Sequence, residues 1–299
     1  MSNSSIIQKI DFFDSDFLQS AVNNTKLTYK QVTKGKFKGT LQRTALPSMV
    51  VDRGSYNLKL ISEGETSKDT VTILIVEQSN EAGRLWGQDM KGADIITILP
   101  GTEIESTVPS GAIWSSIDID KTTLHEYGLR TIKNEFFRID ARRFQYFIHY
   151  FNQINTMIST NTYSNDVLQD QLFSLCTQTI EHADNTVKLS YKDSSLIALN
   201  IRDYLHEHLT ESLEMKQLCV LTGKSVRTIQ RVFKQFFNVS VQEYHTYHRF
   251  LLVRQTLLHD NHIPISNIAF RYGFFHLGRF SAKYKEIFGE LPSHTFRKV

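Results

Sequence analysis

The chain has 299 residues, 40% of them apolar, which is long enough for about two domains and too apolar for a disordered polypeptide. No apolar run reaches the roughly 20 residues of a spanning helix. Met1-Ser2-Asn3-Ser4-Ser5 also lacks the basic and hydrophobic parts of a signal peptide, so a cytoplasmic protein with no membrane partner is expected. Cys176 and Cys219 are too few and too far apart for a disulfide framework or a zinc module and read as small core residues. The net charge of +3 hides a division: residues 195–299 hold 14 Lys and Arg against 8 Asp and Glu, net +6, and the rest hold 20 against 23, net −3. A basic C-terminal third suits a polyanionic partner. Eight of the 11 histidines lie in it too, predicting extra positive charge in mild acid.

From Leu27 to Ile119 short strand-like runs alternate with turn residues. The runs are Leu27–Val32, Phe37–Leu46, Ser48–Val51, Tyr56–Ile61, Val71–Val76, Ile95–Leu99, Thr102–Val108 and Ala112–Ile119. Asp52-Arg53-Gly54-Ser55, Glu63-Gly64-Glu65, Pro100-Gly101 and Pro109-Ser110-Gly111 read as turns between them. Many short strands with no helix between them predict an antiparallel β-barrel-like, cupin-like domain. After residue 140 the apolar period becomes helical through Phe144, Phe147, Phe151, Ile154 and Ile158, then again through Leu168, Leu172, Leu175 and Ile180. These two amphipathic helices, within 141–184, can cover an open end of the barrel or pair with a second subunit. The division expected is therefore an α+β chain: a β-rich sensor or dimerisation domain over 1–185, a polar linker over 186–194, and an all-α domain over 195–299. In the last, Ser195 reads as the cap of a first helix, a long helix runs from Val241 to His259, and Pro264 stands at the start of the next one.

The all-α part contains an internal repeat. Leu218 and Ile268, Cys219 and Ala269, and Gly223 and Gly273 match at an offset of 50; Ile229 and Phe280, Phe233 and Tyr284, and Phe237 and Phe288 match at 51. A small residue at a helix crossing followed by a glycine turn is the pattern of a helix-turn-helix, here expected over 213–237 and 264–288. In the first unit Ser225 can cap the recognition helix, with Ile229, Phe233 and Phe236 inward and Arg227, Thr228, Gln230 and Arg231 outward. Arginine matches a guanine edge and glutamine an adenine edge in the major groove, whereas Lys224 and Lys234 suit phosphate. In the second unit Phe274, Phe280 and Tyr284 are expected inside, leaving His276, Leu277, Gly278, Arg279, Ala282 and Lys283 at the groove. Leu277 and Ala282 can touch a thymine methyl and Gly278 admits close backbone approach, so looser base reading is expected there. Two such units on one chain can enter successive major-groove segments about 34 Å apart.

Residues 195–299 resemble the AraC/XylS family of bacterial transcription regulators. The most specific stretch is Ile268-Ala269-x-x-x-Gly273-Phe274 followed by Phe280-Ser281-x-x-Tyr284-Lys285-x-x-Phe288-Gly289-x-x-Pro292-Ser293. Gly273–Phe280 also looks like the branch that contains the ethanolamine-utilisation regulator, without carrying over its ligand. The resemblance implies a seven-helix DNA-binding domain, double-stranded promoter DNA as partner, and activation through RNA polymerase. It places base contacts at Arg227, Gln230 and Arg231 and at Leu277, Gly278 and Ala282. The chain departs from the family at Leu277 and Ala282, where polar residues are more usual, and at His276, where a serine often caps. A strand-rich sensor in front of such a domain is a frequent arrangement, bringing a small-molecule effector and a homodimer as further expected partners.

Two other readings compete. In one the barrel is an unusual or metal-independent cupin-like enzyme with a DNA-targeting tail; in the other it is a dimeriser without ligand. Only His125, His149 and His182 precede residue 195, in no metal-ligand spacing, and no nucleophile or phosphate-loop motif occurs. No catalytic residue, metal or cofactor is therefore expected. Asp94, Glu103, Glu105 and Asp118 read as the polar face of the barrel, and Trp86, Trp114, Phe37 and Tyr56 as aromatic core or as the lining of a ligand cavity.

Overall fold

The computed structural model describes residues 6–22, 26–126, 133–160, 163–183, 185–188, 193–260 and 262–297. It is an α+β protein, with antiparallel sheets in the N-terminal part and a helical C-terminal part. One sheet takes β1 (Ile6–Phe12), β3 (Gly39–Ala45), β4 (Met49–Tyr56), β11 (Ile113–Asp120), β6 (Thr70–Gln78), β9 (Asp94–Ile98), β12 (Glu135–Arg138) and β13 (Asn185–Lys188) in that spatial order. The other takes β2 (Thr28–Gln31), β5 (Leu60–Glu65), β10 (Glu103–Val108), β7 (Gly83–Leu85) and β8 (Gln88–Met90). Their inner faces form a flattened barrel around a cavity of about 130 Å³.

Two of the expected turns lie inside strands. Asp52-Arg53-Gly54-Ser55 belongs to β4, because burial of Asp52 is met by Arg43, whose Nε donates to it at 2.8 Å, and because Gly54 passes beneath the Trp114 ring. A Cβ on Gly54 would stand 2.5 Å from that ring, so glycine marks close approach rather than reversal. Glu63-Gly64-Glu65 likewise completes β5.

After two short helices, α1 (Asp16–Ala21) and α2 (Lys121–Glu126), helices α3 (Ala141–Ser159) and α4 (Asn165–Glu181) follow the predicted period, but they cover a face of the larger sheet, not an open end. Phe144, Phe147, Phe151, Ile154, Leu168 and Leu172 pack with Val51, Ile73, Ile95 and Ile117 from the strands. Each such side chain contributes about 1.5–3 kcal/mol on burial. The expected linker is shorter than its composition suggests: residues 185–188 pair with β12, and α5 (Asp193–Glu207) begins two residues before Ser195. Ser195 thus sits buried inside the first turn instead of capping it.

Seven helices follow among the described residues: α5, α6 (Met215–Thr222), α7 (Val226–Phe237), α8 (Val241–His259), α9 (Ile265–Arg271), α10 (Leu277–Phe288) and α11 (Pro292–Phe296). Ser240 and Glu243 form a reciprocal capping box at the start of α8. One end of α8 enters a core with Ile229, Phe233, Phe237 and Tyr244; its other end enters a second core through Phe250, Val253 and Leu257, against Ile268, Phe280 and Tyr284.

Candidate nucleic-acid interface

The two helix pairs, α6–α7 and α9–α10, are built alike. Gly223 and Gly273 turn the chain at φ +63° and +75°, values that a side chain resists. At Gly273 a Cβ would also meet Arg249, whose Nε donates to the Tyr272 carbonyl at 2.7 Å. Asn238 and Gly289, again 51 residues apart, end α7 and α10 in the same left-handed conformation.

On α7 the buried stripe is Ile229, Val232, Phe233, Phe236 and Phe237. Lys224, Ser225, Arg227, Gln230, Arg231 and Lys234 are exposed and Thr228 half-buried, so these side chains share the outer side of the unit. Ser225 Oγ accepts from the Thr228 N–H at 3.3 Å, and Arg231 Nη1 donates to Gln235 Oε1 at 2.9 Å, which lays the guanidinium along the outer face. On α10 the buried stripe is Phe280, Tyr284, Ile287 and Phe288; His276, Leu277, Gly278, Arg279 and Ala282 are exposed and Lys283 half-buried. Phe274 is only partly buried, and the Arg249 guanidinium covers its ring at 4.4 Å. His276 occupies the N-cap of α10 without a side-chain capping bond.

The barrel grips the far ends of both recognition helices. Arg84 Nη1 donates to the Lys234 carbonyl at 3.1 Å and Thr107 Oγ1 to the Phe237 carbonyl at 3.2 Å. At α10, Gln31 Nε2 and the Gly35 N–H both donate to the Ile287 carbonyl, at 2.7 and 3.0 Å. The contacts at Phe237 and Ile287 satisfy carbonyls that a helix end leaves open, whereas the Lys234 carbonyl also accepts from the Asn238 N–H at 2.9 Å. Between them lies a buried polar cluster. Lys30 is paired with Glu63 and stands 3.2 Å from His206 Nε2, which lies 2.9 Å from the Tyr244 hydroxyl; Arg202 of α5 is paired with Glu105 of β10. On the opposite flank Arg254 of α8 donates to Asp14 at 2.8 Å. None of these residues carries a spacing signature in the sequence, since each pair joins segments far apart in the chain.

The cluster revises two expectations. Burial, reinforced by the nearby Lys30 ammonium, pushes His206 down to about 4 and His248 to about 2; burial beside Arg249 pushes His245 to about 4. These three of the eight C-terminal histidines stay neutral in mild acid, so they add nothing to the positive charge expected there. The four carboxylates do not share a polar face either. Glu105 and Asp94 are buried and paired with Arg202 and Arg138, Asp118 lines the cavity, and Glu103 is exposed. Burial raises Asp118 to about 6 despite the hydrogen bond from Thr72.

Of the expected aromatic lining, Tyr56 and Trp114 face the cavity. Phe37 packs behind Tyr56, and Trp86 lies elsewhere with its indole N–H on the Glu103 carbonyl at 2.7 Å. The rest of the lining is mostly apolar, with Leu27, Leu74, Ile98 and Ile104. Among the described residues no cluster of metal-ligating side chains occurs, and no helix is long and apolar enough to cross a membrane.

Two solvent-facing helices on one scaffold, each preceded by a shorter helix and a glycine turn, define a double helix-turn-helix DNA-binding domain. The sequence family described as a helix-turn-helix domain matches residues 218–298. Over 94 residues the chain is 34% identical to XylDLEGF operon transcriptional activator 2 of Pseudomonas putida, covering 31% of this chain and 60% of that protein. It is 33% identical over 99 residues to a probable thc operon regulatory protein of Rhodococcus erythropolis, covering 32% and 30%. The chain thus spans from under a third to 60% of the length of these relatives. Among solved structures, the AraC-like transcriptional activator CuxR aligns over 82% of this chain and 94% of its own, at 11% identity and a TM-score of 0.46. The C-terminal helical region is an AraC/XylS-type helix-turn-helix domain.

Proposed function

We propose that this protein is a cytoplasmic, sequence-specific activator of transcription whose two recognition helices read successive major-groove segments of promoter DNA, and that it is not an enzyme. The observation that carries this reading is the paired exposure of the outer faces of α7 and α10 while both inner faces join a core shared through α8. In this reading Arg227, Gln230 and Arg231 read base edges, Lys224 and Lys234 hold phosphate, and Ser225 and Thr228 fix the start of α7. On α10, Leu277, Gly278 and Ala282 meet the groove floor by apolar and backbone contact, while His276, Arg279 and Lys283 anchor the strand. The regulator names of the matched relatives, the P. putida activator among them, support a role in activation, with RNA polymerase as the further partner.

The N-terminal domain, over about 1–185, is proposed as the sensor. Its cavity suits a small uncharged apolar molecule, because among the described residues no basic side chain lines it to hold a carboxylate and Asp118 would repel one. Tyr56 and Trp114, with ring centres 6.0 Å apart, supply its aromatic wall. The effect of such a ligand would come from binding one arrangement of barrel and DNA-binding domain better than another. Homodimerisation through the exposed side of α3, where the Tyr146 and Tyr150 rings meet at a tilt with 4.5 Å between centres, is compatible with this reading.

The test is recovery and sequencing of genomic DNA fragments retained by the purified chain. Enrichment of one motif with two contact segments about a helical turn apart is the expected result. Retention without any motif would sink the sequence-specific reading.

A further inference from the structure

The outer face of α10 continues past its expected DNA contacts. Arg279, Ala282 and Lys283 are followed at helical spacing by Glu286, which is exposed on the same side, opposite Phe280, Tyr284 and Ile287. A carboxylate there faces the same phosphates that Arg279 and Lys283 would approach, and repels them. It is neutralised from two directions: Lys283 Nζ lies 2.9 Å from its Oε2, and Lys34, which belongs to the barrel, pairs with its Oε1. The two ammonium groups therefore sit on one carboxylate, side by side on the stripe.

Lys34 is not on a dangling loop. The segment 32–38 between β2 and β3 is pinned to the end of α10 by the Gly35 N–H and by Gln31 Nε2, which donates to the Ile287, Gly35 and Thr33 carbonyls at 2.7, 2.9 and 2.7 Å. Lys36 packs its backbone and Cβ against Gly289, so closely that a Cβ on that glycine would stand 2.9 Å away. Asn57 braces the outer side through the Lys36 carbonyl and the Lys38 N–H. Lys34, Lys36 and Lys38 are all exposed, a row of cations presented by the barrel beside the second recognition helix.

We infer that the β2–β3 loop of the barrel is itself part of the DNA interface, with Lys34 and Lys36 binding backbone phosphates next to the segment entered by α10. This rests on the DNA-binding reading above and extends it to a domain that the helix-turn-helix match does not include. The exposed side chains of the loop are lysines, which meet phosphate as point charges, so its expected contribution is to affinity and not to sequence preference. It also compensates for the second unit, whose outer face is poor in hydrogen-bonding groups.

The test uses the full chain, the duplex it retains, and binding measured from low to moderate salt. Lys34→Ala/Lys36→Ala is expected to flatten the dependence of log affinity on log salt by about 1 to 2, at about 0.9 per phosphate contact, with the base preference unchanged. Lys68→Ala/Lys91→Ala, exposed barrel lysines outside the loop, should leave the slope as it was. Repeating the loop variant in a Glu286→Gln background separates phosphate binding from neutralisation of Glu286: the flattening must persist. An unchanged slope, or a flattening seen only when Glu286 is present, overturns the inference while leaving the regulator reading intact. A wild-type chain that binds no duplex overturns both.

Discussion

The two helix-turn-helix units share one backbone plan and differ in what they place on it. The first puts an arginine-and-glutamine face on a helix with a serine cap. The second has leucine, glycine and alanine at the corresponding surface and a histidine that does not cap. Its turn is the more heavily buttressed, by Arg249 over Phe274 and on the Tyr272 carbonyl. Its helix end is braced by Arg254, which reaches Glu290 at 2.8 Å, and by Tyr284, whose hydroxyl donates to Thr295 at 2.8 Å. The contrast teaches that the repeat keeps its geometry through its buried residues while the outer stripes are free to differ in chemistry.

The largest effect that can break this comparison is on the cores. Phe233→Ala is expected to cost about 3–5 kcal/mol by cavity formation, whereas its counterpart change Tyr284→Phe leaves the ring in place and costs about 1–3 kcal/mol through the stranded partner of its hydroxyl. Denaturant melts of the two variants give the ranking; equal losses would show that the cores are not held in the different ways described. Next, Arg231→Ala should lose about 1–3 kcal/mol on the retained duplex and relax preference at one base pair, while Lys283→Ala weakens binding to every sequence alike. Competition with single-base-substituted duplexes separates these outcomes, and uniform loss from Arg231→Ala would remove it from base reading.

The capping difference predicts opposite signs: Ser225→Ala should destabilise by about 1 kcal/mol and His276→Ser should stabilise by up to a similar amount, both read from thermal unfolding. The last effect concerns pH and appears only below neutrality. Because His206 and His248 are held neutral in the fold, the unfolded chain takes up more protons below about 6.5. Stability from these groups is complete above that value and falls as pH drops toward 4. His206→Gln with His248→Gln should make the fall between pH 6.5 and 4 shallower in denaturant melts; an unaltered slope would count against their buried neutral state.

Much of the C-terminal part was legible in the sequence because helix faces announce themselves. The glycine turns and the apolar residues at offsets of 50 and 51 locate α6, α7, α9 and α10, and the bounds of α8 can be read from its ends. The barrel was less legible. β7, β8, β12 and β13 are three or four residues long, too short for a period to show, and Gly54 mimics a turn until Trp114 is seen lying over it. The outward residues of α7 follow from counting along a helix. Gln31, Arg84 and Thr107 could not be found that way, since the helix ends they cap are more than a hundred residues distant.

The unbroken α8 has one more consequence. Its 19 residues extend about 28 Å as a single hydrogen-bonded rod shared by both units. An operator with one base pair inserted between its two contact segments would have the second segment swung around the duplex axis by about 35°. A rod has no joint with which to follow that screw motion. Spacing between the two halves of any genuine target is therefore expected to be as invariant as their letters, with tolerance returning only when a whole helical turn is added and the two units are supplied by different molecules.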